Sequence, residues 1–207
     1  MRRGLAIAAL LSLVAAPAGA QDMPAEAAAA AVPADAPPAV EVTTRTEADG
    51  TVTLVHSALI EAPPPEVWTA VSTPEGWVTW AVPLARWAEG ESDVLETSYN
   101  PDELAGGPGA IWQQFVARIP GRLLVFRTIK TPDDFPHGEA YKKVTGIFEL
   151  AAEGEATRVR LTSTGFPDSE GGRMLAGFFA KGNAATLESL QRRFVEGAKV
   201  WAAQPTE

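Results

Sequence analysis

The stretch that decides the fold is the last one, Gly172 to Ala202, which reads GRMLAGFFAKGNAATLESLQRRFVEGAKVWA. Set out at 100° per residue, Leu175, Phe179, Gly182, Thr186, Leu190, Phe194 and Trp201 fall on one stripe. Lys181, Glu188, Arg192 and Lys199 fall on the opposite side. An amphipathic helix of this kind needs an apolar surface to lie on. Asn183 interrupts the apolar side between Phe179 and Leu187. A buried amide needs a partner there, which the sheet, a water or a bound molecule can supply.

The upstream chain offers strands as that surface. From Thr51 to Glu61, Leu54, His56, Ala58 and Ile60 share one face, with Val55, Ser57 and Leu59 on the other. Pro63, Pro64 and Pro65 end the ladder and start a short helix, Glu66 to Val71. Thr73-Pro74-Glu75 opens a second short helix carrying Trp77 and Trp80. Further strands are expected at 85–88, 93–99, 111–119, 123–131, 142–152 and 157–165, separated by Gly-, Pro- and Asp-rich turns. Asp168 or Ser169 caps the final helix, and Pro205 lies beyond it. The expected architecture is α+β: a curved antiparallel sheet wrapped around a long C-terminal helix, with two short helices after the first strand.

Arg2 and Arg3, an apolar run from Leu5 to Ala16, and Ala18-Gly19-Ala20 give residues 1–20 the form of a cleavable secretory signal. The Ala/Pro-rich stretch 21–45 reads as a disordered leader, so the folded domain is expected over 46–203. The formal net charge is −9, and losing Arg2 and Arg3 with the signal makes it −11. Such an acidic surface disfavours nucleic acid and anionic membranes, and a cleaved signal leaves no stable membrane anchor. Cysteine is absent, which removes disulfides, thiolate chemistry and zinc–sulfur sites. The expected location is periplasmic or secreted, in a bacterium.

One resemblance is carried by residues already named. Ile60-x-Ala62-Pro63-x-x-x-Val67-Trp68, followed by Thr73-Pro74-Glu75 and Trp80, resembles the opening of the START-like (SRPBCC) superfamily. Gly182-Asn183-x-x-x-Leu187-x-x-Leu190 is similar to the Gly-Trp-x-x-x-Leu-x-x-Leu pattern of its branch related to the Hsp90 ATPase activator Aha1. The likeness runs from Thr51 to Gly197 and implies a helix-grip (Bet v 1-like) fold with a cavity between sheet and helix. Asn183 stands where that branch has Trp, which implies a roomier cavity with one polar handle. Activities in the superfamily range from lipid carriage to cyclisation, so the likeness implies no single one. Export separates this chain from a cytosolic ATP-driven chaperone, so the activator's role is not carried over.

The candidate cavity lining is His56, Trp80, Glu96, Gln113, Phe115, Phe126, Phe148, Phe179 and Asn183. It is a few polar groups set among aromatics, as a site for a small hydrophobic or amphipathic molecule requires. His56 as a general base, assisted by Glu96 or Asn183, is the enzymatic alternative; the plainer role is a hydrogen-bonded core histidine. A third reading is an interaction module with protein clients. The Asp133–Glu139 loop gathers acids beside His137 but lacks calcium-loop spacing and reads as a solvated turn. Gly106-Gly107-Pro108-Gly109 lacks the helix and lysine of a phosphate cradle and reads as a mobile hairpin loop. No catalytic set, metal site or cofactor is assigned.

Overall fold

The computed structural model describes residues 39–201. The signal at 1–20, most of the leader and Pro205 lie outside the described residues. Strand β1 (Glu41–Thr46) pairs with β2 (Val52–Ile60) through a tight turn in which Gly50 takes φ 82° and Asp49 accepts from the amide and hydroxyl of Thr51. The sheet therefore begins at Glu41, ahead of the boundary expected at residue 46. Every residue of β1 is exposed, so no alternation marked it as a strand.

The chain leaves β2 through helix α1 (Pro64–Ser72) and helix α2 (Pro74–Trp77), each with proline in its first turn. These carry it to the far edge of the sheet. From there β3 (Leu84–Trp87), β4 (Val94–Ser98), β5 (Ile111–Ile119), β6 (Leu123–Lys130), β7 (Thr145–Glu153) and β8 (Ala156–Phe166) meander back to β2. The order is β1-β2-β8-β7-β6-β5-β4-β3, antiparallel throughout. Register shifts in β5, at Trp112/Gln113 and Phe115/Ala117, bend the sheet. A short helix α3 (Gly138–Tyr141) precedes β7 where a turn and an earlier strand start were expected. Its Tyr141 ring stacks near Phe135 and Phe179, so packing claims residues that local pattern gave to a strand.

Helix α4 (Glu170–Glu196) is capped by Ser169, whose Oγ accepts from the Gly172 amide (3.1 Å). It lies across β2 and β8. Its buried line is Leu175, Ala176, Asn183, Leu187, Leu190 and Gln191, rotated from the expected stripe by less than one residue's step. Asn183 is thus central to the buried face, with Gly182 and Thr186 at its margin. The helix stops at Glu196 because Gly197 turns the chain at φ 94°, so Lys199 and Trp201 belong to the tail beyond it. The main core joins α1, the Trp77–Trp80 turn and α4 to the inner sheet face through Ile60, Val71, Phe115, Phe148, Val159, Leu187 and others. Among the described residues, no helix is long and apolar enough to cross a membrane.

Candidate functional site

Register fixes which side chains share the helix-covered face. Phe115 lies opposite Phe126, Phe126 opposite Gly146, Gly146 opposite Ser163, and Ser163 opposite Leu54. One step along, His56 faces Leu161 and Leu161 faces Phe148. Leu95, Gln113 and Thr128 form the corresponding row towards the β3 edge. Gly146 is a positional requirement: a Cβ there would sit 2.2 Å from the Phe126 ring, which stacks on Phe148 (centroids 5.9 Å, 27°). Six of the nine candidates, His56, Gln113, Phe115, Phe126, Phe148 and Ser163's partner Asn183, therefore address one surface.

Two polar groups on it have unused valence. His56 is 0% exposed, and its Nε2 donates to the Ala180 carbonyl of α4 (2.9 Å). That bond fixes the tautomer and leaves Nδ1 a buried acceptor without a partner. Burial lowers the His56 pKa, opposed by the Ala180 bond, so the ring is held neutral. Gln113 is 8% exposed, and its Oε1 is likewise buried and unpartnered. Asn183 (7% exposed) is different: its Nδ2 donates to Ser163 Oγ (3.0 Å), so the sheet satisfies the polar residue of α4. Burial also raises the Tyr141 phenol, with Thr128 acting in the opposite direction.

The remaining candidates have other roles. Phe179 packs with Tyr141 and Phe166 in a second cluster near the start of α4. Trp80 is core, its indole donating to the Ala70 carbonyl (2.9 Å). Glu96 does not join His56 and Asn183. It pairs with Trp112 and Arg86 across neighbouring strands, on the face opposite Leu95 and Gln113. There its carboxylate, 1% exposed, accepts from Arg86 Nε (3.0 Å) and Nη2, Trp112 Nε1 (2.9 Å) and the Gly106 amide (3.1 Å). Arg86 also donates to the Glu103 carbonyl. The glycine-rich loop expected to be mobile is therefore tied to the sheet through Glu96.

Sequence reasoning passed over Arg86, Thr128, Tyr141 and Ser163. An Arg opposite Glu96 was legible as a cross-strand charge pair; Tyr141 was hidden in a presumed turn. A groove of about 300 Å³ lies elsewhere, at the end of α4, and none of the nine candidates lines it. Among the described residues, no three His, Asp or Glu side chains are grouped to hold a metal.

The family described as polyketide cyclase / dehydrase and lipid transport matches residues 51–195, most of the chain. The chain belongs to this family. The match begins one residue ahead of β2 and ends one residue short of the end of α4, leaving β1 outside it. No curated protein matches. Among solved structures, the Aha1 dimer from Colwellia psychrerythraea superposes with a TM-score of 0.54 at 18% identity, over 70% of this chain and 97% of that one. CalU16 from Micromonospora echinospora gives 0.53 at 20% identity, over 79% and 88%. A protein from Arthrobacter aurescens gives 0.56 at 17% identity, over 75% and 91%. At these identities the likeness is one of fold: the family member described here is a START-like, helix-grip domain, and Aha1 is among its structural neighbours.

Proposed function

We propose that this family member is an exported, non-catalytic carrier that takes a small apolar or amphipathic molecule between the sheet and α4. The observation that supports it most is the pair of buried acceptors, Gln113 Oε1 and His56 Nδ1, without a partner among the described residues, on a face that also holds Phe115, Phe126, Phe148, aliphatics and the hydroxyls of Thr128 and Ser163. An unpaired buried acceptor costs about 1–3 kcal/mol, which a ligand hydroxyl or amide recovers. Apolar area removed from water adds about 25 cal/mol per Å². The enzymatic reading draws less support. His56 has no carboxylate partner among the described residues, Glu96 is committed to Arg86 on the other face, and Asn183 is committed to Ser163. Export rests on the basic start, short apolar run and Ala18-Gly19-Ala20 of the first twenty residues.

The test uses a neutral probe, N-phenyl-1-naphthylamine, titrated into the full chain with fluorescence as readout. Saturable enhancement is expected, with affinity at least tenfold weaker in Asn183→Trp, which puts a bulky ring between helix and sheet. Native mass spectrometry of the wild type, expressed in a bacterium, is the second measurement. Absence of both saturable probe binding and a co-purified mass would overturn the carrier reading.

A further inference from the structure

A groove lies at the end of α4. Gly197 turns the chain back, and the tail is strapped to the turn after α2: the Lys199 amide donates to the Thr79 carbonyl (2.8 Å) and the Trp201 indole to the Val78 carbonyl (2.6 Å). The fold-back forms one wall of the open 300 Å³ groove, whose polar lining is Arg192, Arg193, Lys199, Glu196, Thr79 and Ser189.

Its electrostatics are unbalanced. Among the described residues, none of the three cations forms an ion pair. Their described contacts are with rings: Arg193 over Phe194 (5.2 Å) and Lys199 over Trp201 (3.9 Å). Arg193 Nε is buried with no acceptor among the described residues. The Lys199 ammonium is held below its ordinary pKa, first by burial and then by the charge of Arg192. In a chain of net charge −9, three cations against the single carboxylate of Glu196 leave this recess net positive, with Arg192 and Lys199 open to solvent and Arg193 half-buried. Basic residues in a last helical turn do offset the helix dipole. That accounts for the placement of Arg192 and Arg193, but not for a guanidinium nitrogen sealed without an acceptor or for a lysine brought in by the strap. The hydroxyls complete the lining: Thr79 Oγ1 donates to the Gly76 carbonyl and Ser189 Oγ to the Trp80 carbonyl, so both present lone pairs to an occupant.

We propose that this groove binds a small organic oxyanion, its negative oxygens on Arg192, Arg193 and Lys199 and a hydroxyl or ammonium group towards Thr79, Ser189 and Glu196. The probes are inorganic phosphate and acetate, titrated into the full chain at pH 7 and fixed ionic strength with chloride as the reference salt. The readouts are the Trp201 indole and Lys199 amide resonances. Saturable shifts are expected with at least one probe, and at least fivefold weaker binding in Arg193→Gln and in Lys199→Gln. Saturation by phosphate alone assigns a phosphoryl group, and by acetate alone a carboxylate. Lys199→Gln keeps both anchors of the strap, the residue-199 amide and the Trp201 indole, so an unchanged indole resonance in the free variant certifies its fold. Linear shifts equal to those with chloride, or wild-type affinity in a folded Lys199→Gln, would overturn the proposal.

Discussion

Replacing Glu96 by alanine tests whether this carboxylate anchors the fold rather than serving a ligand. The wild-type group is 1% exposed and accepts from four donors belonging to three partners: the Arg86 fork, the Trp112 indole and the Gly106 amide. Removing one partner of a buried pair leaves the other charge uncompensated and costs about 3–5 kcal/mol. Arg86 retains some solvent access, which places the expectation towards the lower figure. For a domain of this size each kcal/mol moves Tm by roughly 2–4 °C, so a loss of roughly 6–12 °C is expected for a cost of about 3 kcal/mol. Urea denaturation gives the free energy, and amide exchange locates it: protection at Gly106 falls first, since its hydrogen bond ends on Glu96. Arg86→Ala combined with Glu96→Ala then closes a double-mutant cycle, in which the second substitution adds little to the first. A Glu96→Ala cost below about 1 kcal/mol, or intact protection at Gly106, refutes the anchoring argument. Binding of the neutral naphthylamine probe stays within twofold of wild type, because Glu96 faces away from Gln113 and His56.

Two further outcomes follow from the inner face. His56 is neutral in the fold with a lowered pKa, while the unfolded chain takes up a proton near pH 6.5, so the unfolded state binds more protons below that pH. The His56 contribution is therefore complete above about pH 6.5 and is lost as pH falls towards the folded value. Urea midpoints from pH 7.5 to 5.5 will fall in wild type and flatten in His56→Gln; equal slopes would refute this. Gly146→Ala drives a methyl into the Phe126 ring, and about 1–3 kcal/mol of overpacking is expected by urea denaturation. An unchanged midpoint would show that the Phe126–Phe148 stack moves freely.

The sequence made the architecture legible where polarity alternates. Strand β5 was bounded at Ile111 and Ile119, and the face holding Leu54, His56, Ala58 and Ile60 was identified from that alternation alone. It failed where both faces have the same environment. All six residues of β1 are exposed, and all five of β4 are buried, so neither strand carries a period-2 signal. Alternation alone therefore assigns β1 to the leader and gives Glu96 no side. The two register shifts in β5 blurred the inward row for the same reason: parity along the strand does not survive a bulge. The expected stripe of α4, drawn through Gly182 and Thr186, lies to one side of the buried line because the helix buries the polar Asn183 and Gln191, which a hydrophobic stripe leaves out.

The two faces of the sheet treat polar groups in opposite ways, and the difference bears on function. On the outer side a full charge is buried and fully compensated, with no lone pair to spare for a ligand. On the inner side the unsatisfied groups are neutral, an amide oxygen and an imidazole nitrogen fixed by its bond to Ala180. A neutral acceptor left open costs about 1–3 kcal/mol, whereas an isolated ion at the same depth costs several times more. On the carrier reading proposed above, a face that is vacant between ligands tolerates neutral acceptors far better than ions. On that reading, their positions on β2 beneath α4 and on β5 beyond it predict an apolar molecule with polar atoms at two points rather than a charged one. The cationic recess at the end of α4 offers the complementary chemistry, well separated in the topology from both acceptors, so a neutral probe and an anionic one should bind independently.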